Sequence, residues 1–222
     1  FGRRLGERTR TTPKPLIEVG GTPVIGHVLE GIERAGFQRI FVATHYLTEQ
    51  IEAYITERDN ISEITTLFED EPMGTAGALN LVPQLDDINI LVMNADVVTR
   101  IDLSALISFH EQHDFDATIA SAQHETMVPY GVLHCDEHGN LTSIEEKPTI
   151  RNFVSAGIYL LSPRITALAP QGRPVDMPEI LNAGRAHGLK IGLFPIHEYW
   201  RDIGRPNDLE TASEDIRRGE LS

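Results

Sequence analysis

The 222 residues include a single cysteine, a single tryptophan and only 6% aromatic residues, and the charge surplus is negative. Each shortage removes a class of protein. Cys135 alone closes no internal disulfide, so a disulfide scaffold is excluded; the usage fits a reducing, cytoplasmic setting, with Cys135 expected as a buried, inert thiol in a strand-like run. No run approaches the roughly 20 apolar residues of a membrane helix, and no secretory signal is read. A formal charge of −14 opposes binding to DNA or RNA, because a phosphate polymer is repelled unless the basic residues gather on one face. Nor is there a strand followed by Gly-x-Gly-x-x-Gly with an acidic residue about 20 positions on, which rules out an NAD-dependent dehydrogenase. What remains is a chain whose partners are small molecules, any anionic one expected to arrive with a divalent cation.

Hydrophobic residues make up 41% and charged residues 23%, and the length suits one α/β domain spanning residues 1–222. The spacing of Val24, Ile25, Val28, Leu29, Ile32 and Ala35 predicts an amphipathic helix stopped by Gly36. A strand over Arg39–Thr44, a helix from Thr48 and a strand over Ile61–Phe68 follow, repeating at about 25 residues, the pattern of a helix-covered parallel sheet. In such a sheet ligands sit beyond the carboxyl ends of the strands. Further strands are expected at Ile88–Met93, Ala117–Ala122, Phe153–Leu161 and Leu189–Ile196, with helices at Leu103–His113, Met177–His187 and Asn207–Arg218. Tyr130–Cys135 and Leu141–Glu145, joined by Asp136–Asn140, read as a hairpin that makes the sheet mixed.

Four stretches carry chemistry. Gly2, Arg3, Arg4 and Lys14 form an opening loop whose glycine admits phosphate and whose cations neutralise it, although the same residues would serve an ordinary solvated loop. In Glu69-Asp70-Glu71-Pro72-Met73-Gly74-Thr75-Ala76-Gly77 the small residues open a helix whose bare N-terminus suits a flat ring or ribose; a tight turn is the competing reading. Asp96 ends an apolar strand, where a carboxylate is costly unless a cation or donors meet it, and Asp102 already serves to cap the next helix. Asp96 is therefore read as a Mg²⁺ ligand. Glu146 and Lys147 could accept from sugar hydroxyls and neutralise a phosphate, or simply end a strand as exposed charges. His110 and His113 are read as solvated helix residues, since no carboxylate or cysteine sits at ligand spacing.

These stretches, in this order, resemble the sugar-1-phosphate nucleotidylyltransferases, from Gly2 to about Asp208. Gly2-Arg3-Arg4-Leu5 with Pro13-Lys14-Pro15 resembles the signature G-x-G-x-R-L…P-K-P, and Trp200 to Pro206 the motif W-x-D-x-G-[TR]-P. The signature's first glycine, and the apolar first strand expected ahead of it, would lie upstream of Phe1. The resemblance implies a three-layer, Rossmann-like α/β domain with a mixed, mostly parallel sheet, the nucleotide-diphospho-sugar transferase fold. It implies transfer of a nucleotidyl group from an NTP, GTP favoured, to a sugar 1-phosphate, giving NDP-sugar and pyrophosphate. Arg4, Lys14 and Asp96 would be catalytic; Gly2, Arg3, Glu71, Gly74, Thr75 and Gly77 would hold the nucleotide. Tyr130, Gly131, Glu146, Lys147, Ser155 and Gly157 would hold the sugar phosphate, Ser155 standing where the family's usual residue is Asn. Asp96 and Asp202 would hold Mg²⁺. The partners implied are the two substrates, with no nucleic acid or membrane; self-association is compatible with it. A bacterial subgroup with tandem CBS modules ahead of this domain is similar in wording around Phe194–Pro206. A catalytically silent sensor of sugar nucleotides is the alternative.

Overall fold

The computed structural model describes residues 11–83 and 87–220; Gly2, Arg3 and Arg4 lie outside them. After a 3-10 turn at Lys14–Leu16 come β1 (Glu18–Val19), β2 (Thr22–Pro23), α1 (Val24–Arg34), β3 (Arg39–Thr44), α2 (Thr48–Glu57) and β4 (Glu63–Phe68). β5 (Ile90–Met93), β6 (Val97–Thr99), α3 (Leu103–Gln112), β7 (Ala117–Met127), β8 (Gly131–Cys135), β9 (Leu141–Glu146) and β10 (Thr149–Leu161) follow. The chain closes with α4 (Pro163–Thr166), α5 (Met177–Ala186), β11 (Ile191–Pro195), β12 (Trp200–Asp202) and α6 (Pro206–Arg217).

A four-stranded sheet in the order β11-β7-β10-β5 forms the centre. β11 runs parallel to β7, while β10 is antiparallel to both β7 and β5, so β5, β7 and β11 share one direction. β10 and β7 pair over nearly their whole length, with a register shift between Ser155 and Tyr159. Buried strands of this kind need apolar residues on both faces. Ile158 and Leu161 of β10 are fully buried, the first with Leu106 of α3 and the second with Ile165 of α4 and Met177 and Ile180 of α5. Helix α1 packs Ile25 and Leu29 onto Ile40 of β3, and Gly36 at φ +87° ends it where the periodicity placed the stop.

β3 and β4 form a separate parallel pair. Among the described residues, the edge of β3 away from β4 and the edge of β5 away from β10 carry no strand. Both border one cavity of about 840 Å³, walled by Ile40, Phe41 and Val42 on one side and Ile90, Leu91 and Val92 on the other.

Several expectations are corrected. Gly77–Asn80 is a four-residue 3-10 turn rather than a helix, because Gly74, at φ +81°, directs the chain against Val175 and breaks helical continuity. Cys135 is exposed, since its hairpin has no covering layer among the described residues. His110 is 2% exposed, and its Nδ1 pairs with Thr118 Oγ1 at 2.9 Å. Desolvation holds the His110 ring below its ordinary 6.5, although the carboxylates of Glu111, Asp116 and Asp114 pull the other way. The unfolded chain therefore takes up this proton more readily, and the stability it contributes is present above pH 6.5 and lost as the pH falls. Urea midpoints are expected to drop between pH 7.5 and 5.5, by up to about 1.4 kcal/mol per pH unit from this group, and His110→Gln should flatten that part of the slope.

Candidate active site

Two flanking prolines set the first cation. Pro13 and Pro15 restrict the backbone around Lys14, the 3-10 turn presents its side chain, and Lys14 Nζ forms an ion pair with Asp96 Oδ2. Asp96 lies between β5 and β6. The antiparallel pairing of β6 with β12 sets Asp202 opposite Val97, and Ile203 N–H donates to the carbonyl of Asp96 at 2.9 Å. Carboxylates more than 100 positions apart in sequence thus flank one rung of a two-stranded ribbon. Asp102 caps α3 by accepting from Ala105 N–H at 2.9 Å, so capping is not what Asp96 is for.

Asp96 and Asp202 open into a cavity of about 410 Å³, together with Asn94, Ser155, Gly157 and Trp200. One oxygen of Asp96 belongs to Lys14; the other, Oδ1, is buried and has no hydrogen-bond partner among the described residues. A buried carboxylate oxygen without a donor is unfavourable by a few kcal/mol, so this atom asks for a cation or a donor from a ligand. Two carboxylates completed by ligand oxygens suit Mg²⁺, and no group of three or more His, Cys, Asp or Glu that could hold a metal exists among the described residues. The residues present fit such an ion.

The opposite wall is the irregular part of β10. Ser155 Oγ is 2.8 Å from Tyr159 Oη, and Gly157 N–H donates to Ser155 Oγ at 3.3 Å. Gly157, at φ +73°, lies against Asn94 so closely that a Cβ would sit 2.6 Å from Asn94 Nδ2. Trp200 Nε1 donates to the Ala156 carbonyl at 2.9 Å and closes the corner. Ser155 and Gly157 are accordingly brought to the aspartates. Tyr130, Gly131, Glu146 and Lys147 are not: they cluster at the base of the β8–β9 hairpin, where Lys147 N–H donates to Tyr130 O at 3.2 Å, and none lines the cavity.

The glycine-rich segment borders the larger cavity through Gly74 and Thr75. Thr75 is committed to the fold. Its N–H and hydroxyl donate to Asp176 Oδ1 at 2.9 and 3.2 Å, and the hydroxyl accepts from Met177 N–H at 2.8 Å, which tethers α5. Gly77 is packed on Met73. Glu71 is exposed; the acidic residue that turns inward is Glu69, whose Oε1 is buried without a hydrogen-bond partner among the described residues and whose carboxyl is pushed above its ordinary value by desolvation. Sequence reading missed Glu69, Asn94, Trp200 as a wall, and His124, which reaches the smaller cavity from β7. The position of Glu69, directly after a strand, was the available signal.

Comparison with known proteins agrees with this geometry. A family model described as nucleotidyl transferase matches residues 1–219. The mannose-1-phosphate guanylyltransferase catalytic subunit beta of Drosophila pseudoobscura is 31% identical over 219 residues, 96% of this chain and 59% of that protein. Mannose-1-phosphate guanyltransferase of Yarrowia lipolytica is 33% identical over 218 residues, 94% of this chain and again 59% of the relative. The chain thus spans about three fifths of the length of these relatives. HddC from Yersinia pseudotuberculosis, solved with GMP-PN, superposes with a TM-score of 0.69 at 25% identity, covering 96% of this chain and 95% of that one. A Bacillus anthracis protein solved with a sucrose shares the fold at a TM-score of 0.74 and 20% identity, over 97% of this chain and 91% of its own. With the aspartate pair, the lysine and the strand-end cavities in place, the chain belongs to the nucleotidyl transferase family.

Proposed function

We propose that this domain transfers a nucleotidyl group from an NTP to a sugar 1-phosphate, releasing pyrophosphate. The observation that supports it most is that Asp96 and Asp202 line one cavity while Lys14 pairs with Asp96. A phosphate oxygen of the sugar 1-phosphate forms the new bond to the α-phosphorus as the bond to the β-phosphate bridging oxygen breaks, and the pair of electrons leaves with pyrophosphate. The nucleophile is already an anion, so no general base is required. Mg²⁺ held by Asp96 and Asp202 would neutralise charge on the phosphates of both substrates. Lys14, paired with Asp96, would meet the same phosphates and offset charge that develops on the leaving group. Asn94 and Gly157 shape the wall, and the Trp200 indole limits water at the reacting centre. Arg4 is assigned to the phosphates by the family motif.

GTP is the favoured nucleotide, and Glu69 supplies a physical reason. A carboxylate with an orphaned oxygen, set in an apolar environment, complements the adjacent N1–H and N2–H donors of guanine; the N3–H of uracil or thymine is flanked by carbonyls that a carboxylate repels. The guanylyltransferase names of the relatives and the GMP-PN bound to HddC point the same way. A matrix of four NTPs against mannose, glucosamine and glucose 1-phosphates, read by pyrophosphate release, tests the reading; release with none of them, in a protein that still binds NDP-sugar, would favour a silent sensor. In that matrix Glu69→Gln is expected to lower kcat/KM with GTP by about 10- to 100-fold relative to UTP.

The reading also assigns an occupant to the slot between β3 and β5: an extended apolar strand contributed by chain immediately upstream of Phe1. Its lining supports this: Ile40, Phe41 and Val42 of β3 and Ile90, Leu91 and Val92 of β5 wall it, and Asn94 and Ala95, which follow β5, border it. A strand running parallel to β5 would exit beside Asp96. Ten residues, Phe1 to Arg10, would then connect it to Thr11, whose carbonyl accepts from Gln50 Nε2 of α2 at 3.0 Å.

A further inference from the structure

β12 is three residues long, and a two-stranded ribbon of that size is marginal on its own. It nevertheless carries Asp202, and a slip of one residue would turn that carboxylate away from the cavity. Side chains alternate along it. Trp200 and Asp202 face the cavity, while Tyr199 and Arg201 face α6, where they meet Asp215.

The second set of contacts is closed and half-buried. Asp215 is 6% exposed, and its Oδ2 accepts from Tyr199 Oη at 2.9 Å and from Arg201 Nη2 at 3.1 Å. Arg201 Nε in turn donates to Tyr199 Oη at 3.1 Å, completing a three-membered ring. Desolvation pushes the Tyr199 phenol up to about 12, so it stays a neutral donor across the physiological range. None of the three lines the cavity.

Around this ring lies one apolar cluster that joins the segments bearing Lys14, Asp96 and Asp202 to α6: Ile17 and Val19 beyond Lys14, Val98 beyond Asp96, Ile203 beside Asp202, and Leu209 and Ala212 of α6. Apolar packing is non-directional and fixes α6 in place without fixing the rotation of β12. A hydrogen-bonded ion pair does have direction. We propose that Asp215 is a positioning residue for catalysis: through Tyr199 and Arg201 it holds the outer face of β12 on α6 and thereby keeps Asp202 aimed at Asp96. This rests on Asp202 as a metal ligand.

The effect is read as metal affinity, with Mn²⁺ as the probe, by titrating the loss of the free-ion paramagnetic resonance signal in the absence of nucleotide. Asp215→Asn keeps the shape and removes the charge, and it is expected to weaken Mn²⁺ binding about tenfold, as loss of outer-shell support does elsewhere, with the circular dichroism spectrum retained. In an Asp202→Asn background the same change should do nothing further, because the residue acts through Asp202. If Asp202→Asn weakens Mn²⁺ binding and Asp215→Asn leaves it at the parental value, the positioning role is overturned and the metal site stands. If Asp202→Asn itself binds Mn²⁺ like the parent, the metal assignment and the positioning role both fall. Should Asp215→Asn not fold, Tyr199→Phe removes one donor from the ring; it is expected to cost about threefold in Mn²⁺ affinity, and an unchanged affinity in that folded variant overturns the proposal.

Discussion

Asp96→Asn and Asp202→Asn are each expected to reduce pyrophosphate release by about 10²- to 10³-fold or more, the scale of removing one preorganised electrostatic contact from a phosphoryl-type transition state. Asparagine keeps the volume of the side chain, so packing against the β6–β12 ribbon survives. What disappears is charge. In Asp96→Asn the orphaned Oδ1 is replaced within a group that no longer attracts a cation, and Lys14 loses its anionic partner. The lysine is only about one fifth exposed, so part of its desolvation goes uncompensated, and the melting temperature should fall by several degrees with the fold retained. The two losses should not multiply. Carboxylates that hold one ion act as a unit, and the double variant is expected to be little worse than either single one. Pyrophosphate release measured beside circular dichroism separates loss of function from loss of fold; single variants that retain the parental rate would remove both residues from the mechanism.

How much of this was legible in the chain depends on whether the signal was local. β3 was bounded correctly because a short β-branched run is delimited by its own turn residues, and the Asp136–Asn140 hairpin because Asp136 accepts the backbone N–H groups of His138 and Asn140 within the turn itself. Asp96 was readable because a carboxylate terminating an apolar strand is costly without a reason. Residues whose role is set by distant chain were not readable. Glu69 and Glu71 stand two apart in one acidic run, and what turns Glu69 inward is the loop held down by Val175 and Asp176, a hundred residues away. Thr75 fits a nucleotide motif and is instead used by the start of α5. His110 was read as solvated from its residue type; its place on the apolar stripe of α3 was the signal for burial that this reading passed over. Asp215 gave no sequence signal, because its partners lie on a strand 14 and 16 positions earlier.

An extension of about six apolar, β-forming residues placed directly before Phe1 is expected to stabilise the protein by roughly 3 kcal/mol, or about 10 °C in melting temperature for a domain of this size. The slot between β3 and β5 supplies the driving force. Six residues of β3 and four of β5 present backbone groups along edges without a strand partner among the described residues, and Ile40, Val42, Ile90 and Val92 stand beside them. A strand inserted there completes two ladders at once and buries both of its faces, which is why Val- and Ile-rich sequence is required and an alternating polar one would fail. It would also join the β3–β4 pair to the central sheet and hold Glu69, on the larger cavity, in rigid register with Asp96. A Gly/Ser extension of equal length is the control and should leave the melting temperature unchanged. Amide exchange at β3 and β5 distinguishes the sources of any gain: protection of both strands is expected from insertion. Stabilisation without that protection, or protection that rises with protein concentration as the edges of two copies pair, would show that the slot takes something other than the upstream chain.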